Sequence, residues 1–580
     1  MFRKSEGVGK VEAVVVDFDN ISRNKSDSLI FFEDEKKQYF CQDGIALYSV
    51  GTLVYKDRTF SDALSLIAAD LQGGVKLKTV MNNTHGQFCC VITFCNSVFI
   101  VTDKLGSFPV YKYENSDEII ISNIFRTVLV PSKLSINYQA LAEYVSFDYT
   151  FGETLFNEVE ILKRGNIYHF SKKIGVTEYC NYIDTITFER YSQIEDIVES
   201  SLRIMKGNFR FVEHINNLFC DLTGGFDTRT IVSVIHDTGK KYRCGICGEQ
   251  NLNETKIARE VARELDCAFE TKIKIDSHES FLENLEYNYK CSAGIPIPFH
   301  STELFNYYRT IKKKYDIHIC GFAGSQLFDN WLPRLSLFST KLSPDSMINK
   351  TLQFNDIFIS SKITEKGFSS KLREKIGSVF NVIGTDRYDH ISNFFTLSTF
   401  SKYYHGALIG AHNTIMPLYV PFLEADFARL MIETVYGLKN NRNIQRHILH
   451  AINRPVSRIM TTHGYDASVH GNNISEINKF KINMRNIQRR IFYSVPMLCK
   501  VNSVTKKFNR RRSKAVSLGE LQRSFWLEEI NTQWMNDMAI FDFIDRKKLS
   551  RYFETGFLVP KTKAKLLYIN RLVNEFSPVS

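Results

Sequence analysis

Residues 218–235 read Leu-Phe-Cys-Asp-Leu-Thr-Gly-Gly-Phe-Asp-Thr-Arg-Thr-Ile-Val-Ser-Val-Ile and predict a buried strand, a glycine-rich turn and a helix. Paired glycines let the backbone approach a phosphate closely, and the first N–H groups of the following helix point at that phosphate. Thr223 and Thr228 can add hydroxyl donors, and Asp227 is placed to hold a divalent cation that bridges phosphates. The stretch therefore predicts an anion-binding loop, but not a Walker A loop, because the Gly-Lys-Ser/Thr ending is missing. An ordinary strand–helix turn is the alternative.

The sequence on either side of this loop predicts how the chain is organised. In the middle third, short apolar runs alternate with helices, which is the βα rhythm of a parallel sheet. The strands and helices predicted there are 218–222, 228–236, 255–265 and 318–321. Residues 1–172 are rich in short strands instead, with helix candidates at 60–71 and 137–144. Beyond residue 470 the sequence favours helices.

Composition favours a globular protein with several domains. At 580 residues the chain has room for about three or four domains, and its 44% hydrophobic and 24% charged residues are close to the globular average. No run of about 18 apolar residues predicts a membrane-spanning helix, and the start Met-Phe-Arg-Lys-Ser-Glu-Gly lacks the apolar core of a signal peptide. Twelve cysteines without regular spacing argue against a disulfide framework. We therefore expect a reduced, cytoplasmic protein.

The net charge of +11 has a local origin. Twelve basic residues and no acidic one lie between Lys479 and Lys514, so this segment carries the whole excess. Its apolar residues recur at helical spacing, at Phe480, Met484, Ile487 and Ile491. The resulting basic amphipathic helix either packs on the rest of the protein or docks on an anionic partner or membrane surface. A nucleic-acid partner rests on this segment alone and is not favoured.

Thr223-Gly-Gly-Phe-Asp-Thr resembles the Ser-Gly-Gly-x-Asp-Ser pyrophosphate loop of the asparagine synthetase and β-lactam synthetase family. The family's N-terminal signatures have counterparts in Gly86-Gln-Phe, Thr102-Asp-Lys-Leu-Gly-Ser-Phe-Pro-Val-Tyr and Thr154-Leu-Phe-Asn-Glu-Val-Glu-Ile-Leu-Lys-Arg-Gly. Its later elements are similar to Gly248, Asn253-Glu-Thr-Lys-Ile-Ala-Arg-Glu-Val-Ala, Pro421-Phe-Leu-Glu and Arg446-His-Ile-Leu. These matches occur in the family's order.

The resemblance implies an α/β multi-domain protein. Residues 1–172 would form a glutaminase-like αββα sandwich of the Ntn-hydrolase type, and 193–470 a parallel α/β synthetase domain of the pyrophosphate-loop type. A linker, 173–192, would join them, and 471–580 would be a basic helical region. The implied function is an ATP-dependent amide ligase that adenylates a small-molecule or peptide carboxylate with the help of Mg²⁺ and releases pyrophosphate.

The resemblance also implies which residues form the site. ATP and its pyrophosphate would be bound by Leu222, Thr223, Gly224, Gly225, Phe226, Asp227, Thr228, Cys247, Gly248 and Gly321. Asp227 would hold Mg²⁺, and Arg446 stands where the family has its catalytic Lys. An arginine keeps the positive charge that stabilises phosphate, but it is a poor general acid.

The implied metal site lacks its second carboxylate. The family motif Ser-Gly-x-Gly-x-Asp-Glu-Leu-Phe corresponds here to Cys320-Gly-Phe-Ala-Gly-Ser-Gln-Leu-Phe. Its metal-binding Asp falls on Ser325, or on Gln326 if the register shifts by one, and Asp329 is the candidate replacement. Two other functions therefore stay open: an ATP-binding scaffold without adenylation, and a nucleic-acid-modifying protein with a pyrophosphate loop.

The remaining metal-binding residue types are interpreted as structural. Cys244 and Cys247 have CxxC spacing, but no second cysteine pair follows them, as a zinc site would require. Several histidines are scattered along the chain without a common helix face, namely His85, His236, His300 and His318.

We predict that the chain does not hydrolyse glutamine. The family's glutaminase uses an N-terminal Cys, exposed by removal of Met, as its nucleophile, whereas position 2 is Phe and the nearest cysteine is Cys41. The family's Asn-Gly-Glu run is replaced by Val50-Gly51-Thr52. An enzyme-coupled glutamate assay should give no signal above a blank without enzyme. Glutamate release that survives further purification would contradict this interpretation of the N-terminal domain.

Overall fold

The computed structural model describes residues 2–4, 13–16, 27–33, 38–95, 97–115, 118–129, 134–170, 175–181, 186–248, 250–272, 283, 286–287, 289, 298–328, 367–382, 390, 394–470, 473–474, 569 and 571–576. The predictions for Asp329 and for Lys479–Lys514 lie outside these residues. Among the helices that the structure describes, none combines the length and the apolar character needed to cross a membrane.

The secondary structure is mixed. The strands are β1 (Phe2–Lys4), β2 (Ala13–Val16), β3 (Asp27–Glu33), β4 (Tyr39–Gln42), β5 (Ile45–Tyr55), β6 (Arg58–Thr59), β7 (His85–Phe94), β8 (Ser97–Thr102), β9 (Tyr111–Glu114), β10 (Glu118–Ser122), β11 (Val159–Ile161), β12 (Asn166–Phe170), β13 (Gly175–Glu178), β14 (Leu218–Asp221), β15 (Arg243–Cys247), β16 (Ala268–Lys272), β17 (Ile317–Ile319), β18 (Leu418–Tyr419), β19 (Val469–His470) and β20 (Asn473–Ile474). The α-helices are α1 (Phe60–Gln72), α2 (Leu77–Asn82), α3 (Tyr138–Phe147), α4 (Ile194–Asn208), α5 (Asp227–Asp237), α6 (Asn253–Glu264), α7 (Pro298–Ile311), α8 (Gly324–Phe328), α9 (Phe368–Asn381), α10 (Gly406–Asn413), α11 (Ala425–Glu433), α12 (Asn443–Ile452) and α13 (Arg454–Arg458). A π-helix spans Thr396–His405, and 3₁₀ turns span Phe125–Leu129, Arg210–His214, Pro421–Leu423 and Tyr436–Arg442.

The strands assemble into several sheets. One six-stranded sheet has the order β1-β2-β3-β10-β9-β11, and a seven-stranded sheet has the order β13-β12-β8-β7-β5-β4 with β6 beside β5. A parallel five-stranded sheet has the order β16-β15-β14-β17-β18, and β19 pairs with β20. The predicted α/β class is therefore confirmed. Strand β13 belongs to the seven-stranded sheet, although its residues lie in the stretch predicted as a linker.

Strand β5, next to edge strand β4 in the seven-stranded sheet, is a long strand that the sequence did not predict. All eleven of its residues are buried, because both faces of the seven-stranded sheet are covered. Leu47 and Leu53 pack in one cluster with Leu64 of α1. On the other face, Tyr48 packs in a cluster that also contains Ile119 of the six-stranded sheet. A strand buried on both sides shows no polar alternation, so periodicity does not reveal it.

Asp103, in the stretch that resembles the family's N-terminal signature, has a structural role. Its carboxylate accepts N–H bonds from Leu105 (3.0 Å), Ser107 (3.1 Å) and Phe108 (2.7 Å). Burial raises the pKa of Asp103 to about 6, and the N–H bonds oppose this rise because they favour the charged form. The aspartate thus fixes the turn that leads from β8 into β9.

Gln87 joins the seven-stranded sheet to the parallel sheet. Its side-chain amide donates to the carbonyl of Val420 (3.2 Å), and its side-chain oxygen accepts the Val420 N–H (2.7 Å). Beside it, the Thr52 hydroxyl donates to the carbonyl of Leu418 in β18 (2.9 Å). Within the seven-stranded sheet, Gly86 lets β7 lie close to β5, since a Cβ on Gly86 would lie 1.9 Å from the carbonyl oxygen of Thr52. A buried polar contact therefore holds the two sheets in register.

We predict that Gln87→Ala destabilises the whole chain. The Val420 N–H would lose its buried acceptor, and an unsatisfied buried donor costs about 1–3 kcal/mol. For a chain of this size, we expect the thermal unfolding midpoint to fall by a few degrees, measured by circular dichroism. Gln42→Ala is the control, because Gln42 is exposed on edge strand β4. Equal midpoints for the two variants would show that the Gln87 contact adds nothing.

Candidate functional site

The strand order of the parallel sheet defines one crevice. The chain moves from β14 to β15 and β16 on one side of β14, and β17 and β18 lie on the other side. In open parallel sheets, ligands bind beyond the carboxyl ends of the strands at such a reversal of direction. Here the reversal lies between β14 and β17. The predicted glycine-rich loop follows β14 directly, so the structure places it at this crevice.

The loop is a short, tightly bonded turn. The Thr223 N–H donates to the Thr228 hydroxyl (2.9 Å), and the two threonine hydroxyls are 3.1 Å apart. Leu222 is buried, and its N–H donates to the carbonyl of Gly245 in β15 (2.9 Å). Phe226 is also buried, and its ring stacks on His463 with centroids 5.8 Å apart. The predicted loop residues Leu222–Thr228 therefore form one unit at the start of α5.

Gly224, in the middle of this loop, is enclosed by other elements. Its N–H donates to the side chain of Glu254, in the first turn of α6, and its carbonyl accepts the Thr462 N–H (3.0 Å). A Cβ on Gly224 would lie 2.6 Å from the Thr462 methyl carbon. Burial raises the pKa of Glu254, and the Gly224 N–H bond opposes this rise. A carboxylate of the chain itself thus binds a donor that a phosphate could use.

Asp227 is bonded to three side chains. Its Oδ1 accepts from Arg442 Nη1 (2.8 Å) and from the Gln445 amide (3.0 Å). Its Oδ2 accepts from the Ser325 hydroxyl (2.8 Å), which itself accepts from Arg442 Nη2 (2.8 Å). The Arg442 side chain is 9% exposed and the Asp227 side chain 19%. The carboxylate is therefore neutralised by a guanidinium, not left open to solvent.

Arg442 and Gln445 are site residues that the sequence analysis missed. Arg442 lies directly before α12 in a left-handed conformation (φ +56°), and Asn441 before it has φ +59°. This conformation is uncommon for residues other than glycine and costs about 1 kcal/mol or more. The sequence offered one signal for these residues, their spacing from the predicted catalytic residue. Arg442 precedes Arg446 by one helical turn, and Gln445 precedes it by one residue.

Arg446 is buried away from this ion pair. Its Nη2 donates to the carbonyl of Ser468 (3.3 Å), and its guanidinium lies over the Tyr465 ring, 5.6 Å from the centroid. Nε and Nη1 have no partner among the described residues, and burial lowers the pKa of this side chain. The structure thus places the predicted catalytic residue on the same helix as Gln445, with donors available but without a contact to Asp227.

The other predicted residues lie at the ends of the neighbouring strands. Cys247 ends β15 and is followed by Gly248, where a Cβ would lie 3.3 Å from the Thr255 hydroxyl. Gly321 follows β17, and a Cβ there would lie 3.1 Å from the Thr228 backbone nitrogen. These glycines let the strand ends approach the loop and α6. All three residues therefore border the crevice.

Mg²⁺ does not fit at Asp227 in this arrangement. Both carboxylate oxygens already accept hydrogen bonds, and the counterpart of the second metal ligand is the Ser325 hydroxyl, which donates to Asp227. The neighbouring Gln326 carries no charge. Across the described part of the chain, no cluster of three or more His, Cys, Asp or Glu could hold a metal ion. Magnesium requires about six oxygen ligands near 2.1 Å, and guanidinium nitrogens cannot supply them.

A buried acid–histidine chain lies beneath the loop and contains His318, one of the histidines interpreted above as structural. His318 Nε2 lies 3.0 Å from the carboxylate of Asp221, at the end of β14. His318 Nδ1 lies 2.8 Å from His412 Nε2, and His412 Nδ1 lies 3.2 Å from the Met416 carbonyl. The carbonyl must accept from His412 Nδ1, so His412 Nε2 accepts from His318 Nδ1. Burial keeps the pKa of His412 well below its usual value, so His412 is neutral.

Acid should destabilise the fold through the buried histidines. Burial lowers the pKa of His405 from 6.5 to about 3, although nearby Asp227 opposes this, and its Nδ1 has no partner among the described residues. A pKa lowered by folding contributes stability above pH 6.5 that is lost as the pH falls. When the pH falls from 6.5 to 5.5, the free energy of unfolding should decrease by about 1 kcal/mol less in His405→Phe than in wild type, measured by urea titration. Exposed His236→Phe is the control, and equal slopes for wild type and His405→Phe would refute the prediction.

No protein-family model matches this chain, and a search of the curated proteins finds no match either. The resemblance to the asparagine synthetase family therefore rests on the residues quoted above and stays a prediction. What the structure adds is geometric: Leu222–Thr228, Cys247, Gly248 and Gly321 border one crevice of a parallel sheet, whereas Arg446 is buried without a contact to Asp227. Two further charged side chains, Arg442 and Glu254, contact the loop at this crevice.

Proposed function

We propose that the chain binds an adenine nucleotide at the crevice between β14 and β17 and acts as an ATP-dependent amide ligase resembling asparagine synthetase. The observation that carries the nucleotide site is the position of the glycine-rich loop and the start of α5 at the reversal of strand order. Backbone N–H groups at a helix start favour phosphate, and Thr223 and Thr228 add hydroxyls beside them.

The layering of the N-terminal part supports the proposed Ntn-like sandwich. Helix α1 packs on one face of the seven-stranded sheet, and the other face shares a hydrophobic cluster with the six-stranded sheet. Helix α3 packs with Ile120, on the outer face of the six-stranded sheet. This order of layers is αββα. None of the ten cysteines among the described residues forms a disulfide, which supports the proposed cytoplasmic location.

In the proposed reaction, a carboxylate oxygen attacks the α-phosphorus of ATP and pyrophosphate leaves. An amine then attacks the acyl carbon of the adenylate, loses a proton, and AMP leaves. The loop would hold the pyrophosphate, and the buried guanidinium of Arg446 has donors for developing phosphate charge. The proton that the amine loses passes to water.

A second proposal is an ATP-binding scaffold without adenylation. The observation that favours it is that the chain's own groups already satisfy the site, since Glu254 binds the Gly224 N–H and Arg442 binds Asp227. Groups satisfied in this way need no ligand to stabilise the loop. A nucleic-acid-modifying function has no such support, because its basis, Lys479–Lys514, lies outside the described residues.

ATP–pyrophosphate exchange separates the two proposals. The ligase proposal expects labelled pyrophosphate to enter ATP in the presence of one member of a panel of amino-acid, peptide and uronic-acid carboxylates. The scaffold proposal expects stabilisation by ATP in a thermal-shift assay and no exchange with any of them. Absence of both signals would refute both proposals.

We predict that Thr228→Val weakens ATP or pyrophosphate binding about tenfold. The change removes the hydroxyl that accepts the Thr223 N–H, leaves that donor unsatisfied, and costs about 1.4 kcal/mol or more. Isothermal titration calorimetry measures the affinity. Thr238→Val is a matched control at the opposite end of α5, where the hydroxyl donates to the Ile235 carbonyl and accepts the Lys240 N–H (3.4 Å). Unchanged affinity in Thr228→Val would remove the loop from the site.

A further inference from the structure

We propose that the Arg442 guanidinium permanently takes the place of a divalent cation at Asp227, so that the loop binds a phosphate ligand without Mg²⁺. The inference deepens the proposed function and rests on it for the ligand. It concerns the charge of the site, because either a metal ion or a guanidinium can neutralise the Asp227 carboxylate. A metal ion can dissociate together with the bound phosphate ligand, whereas the arginine is part of the chain.

Three of the about four lone-pair sites of the Asp227 carboxylate already accept hydrogen bonds. Arg442 bridges to both carboxylate oxygens, directly to Oδ1 through Nη1 and through the Ser325 hydroxyl to Oδ2. Gln445 adds a second bond to Oδ1 and also accepts from Arg442 Nη1 (3.2 Å). A metal that took both lone pairs of Oδ1 would have to displace Arg442 and Gln445, which are bonded to each other as well as to the carboxylate.

The space on the far side of the carboxylate is also filled. A Cβ on Gly324 would lie 2.7 Å from the Asp227 carboxylate, so the start of α8 already touches it. An octahedral Mg²⁺ with its water ligands would need this loop to move away. Ser325, at the position where the resemblance implies a second carboxylate, therefore lies in a segment that touches Asp227.

The backbone conformation at Arg442 determines where its side chain lies. Its left-handed φ of +56° turns the chain from the 3₁₀ turn Tyr436–Arg442 into α12, which also carries Gln445. Its guanidinium lies 5.8 Å from the centroid of the buried Phe226 ring, inside the loop itself. The backbone conformation thus delivers a cation to the first residue of α5.

The electrostatic consequence concerns the ligand. An uncompensated Asp227 at the start of α5 would repel phosphate, and a divalent ion would be needed to offset that repulsion. The Arg442–Asp227 pair has no net charge, so the helix N-terminus and the threonine hydroxyls can act on an anion directly. Metal-independent binding follows from this neutral pair.

Two measurements on the full chain test the proposal. Electron paramagnetic resonance with Mn²⁺, a probe for Mg²⁺, should show no bound ion in wild type. In Arg442→Ala, Mn²⁺ should bind at least tenfold more tightly than in wild type, and the added change Asp227→Asn should abolish this gain. Calorimetry with inorganic pyrophosphate should give wild-type affinities that agree within about twofold in EDTA and in Mg²⁺.

A matched control separates the site from a general loss of an arginine. Arg429→Ala removes an ion pair to the buried Glu433 (3.0 Å) on α11, and it should neither gain Mn²⁺ nor change pyrophosphate affinity. Arg442→Lys keeps the charge but loses the two-pronged bridge, and it should weaken pyrophosphate binding in EDTA without gaining Mn²⁺.

The outcomes distinguish this inference from the proposed function. Wild-type Mn²⁺ binding that Asp227→Asn removes, or a tenfold requirement of pyrophosphate binding for Mg²⁺, would overturn the inference. If pyrophosphate binds under neither condition, the proposed function fails, and the Mn²⁺ measurement still decides whether Arg442 replaces the metal. Since the wild-type arm uses no variant, a failure of Arg442→Ala to fold leaves the test decisive.

Discussion

The site depends on one ion pair, in which Arg442 neutralises Asp227 at the first residue of α5. It connects three parts of the parallel domain: the loop after β14, Ser325 after β17, and the start of α12. Both side chains are largely buried, so removing one partner would leave a charge without hydration, at a cost of about 3 kcal/mol or more. The crevice between β14 and β17 keeps its shape because this charge is satisfied.

The same crevice contains a second internal charge. Glu254 at the start of α6 accepts the Gly224 N–H, so the loop is bonded to a carboxylate on one side and faces a guanidinium on the other. A phosphate ligand would have to displace the Glu254 carboxylate from the Gly224 N–H, and it could interact with the Arg442 guanidinium. The balance between these two groups determines whether the crevice favours an anion or remains filled by the chain.

The rest of the fold holds this crevice in position. Gln87 and Thr52 bond the seven-stranded sheet to β18, the edge strand of the parallel sheet. Beneath the loop, Asp221, His318 and His412 form a buried polar chain that links β14, β17 and α10. Both are polar contacts in an apolar interior, so each specifies one arrangement of the elements that it joins.

The sequence by itself determined the α/β class, the strand–loop–helix around Gly224, helices α1 and α5, and the presence of Ser325 and Gln326 where the resemblance implies a carboxylate, because these follow from local patterns and residue identities. Only the tertiary structure decided that Arg442 and Gln445 meet Asp227, more than 200 residues away. It also revealed β5, which is buried on both faces, and the pairing of Glu254 with the loop. Contacts between distant segments depend on sheet order and on a left-handed backbone turn, and neither leaves a periodic signal in the sequence.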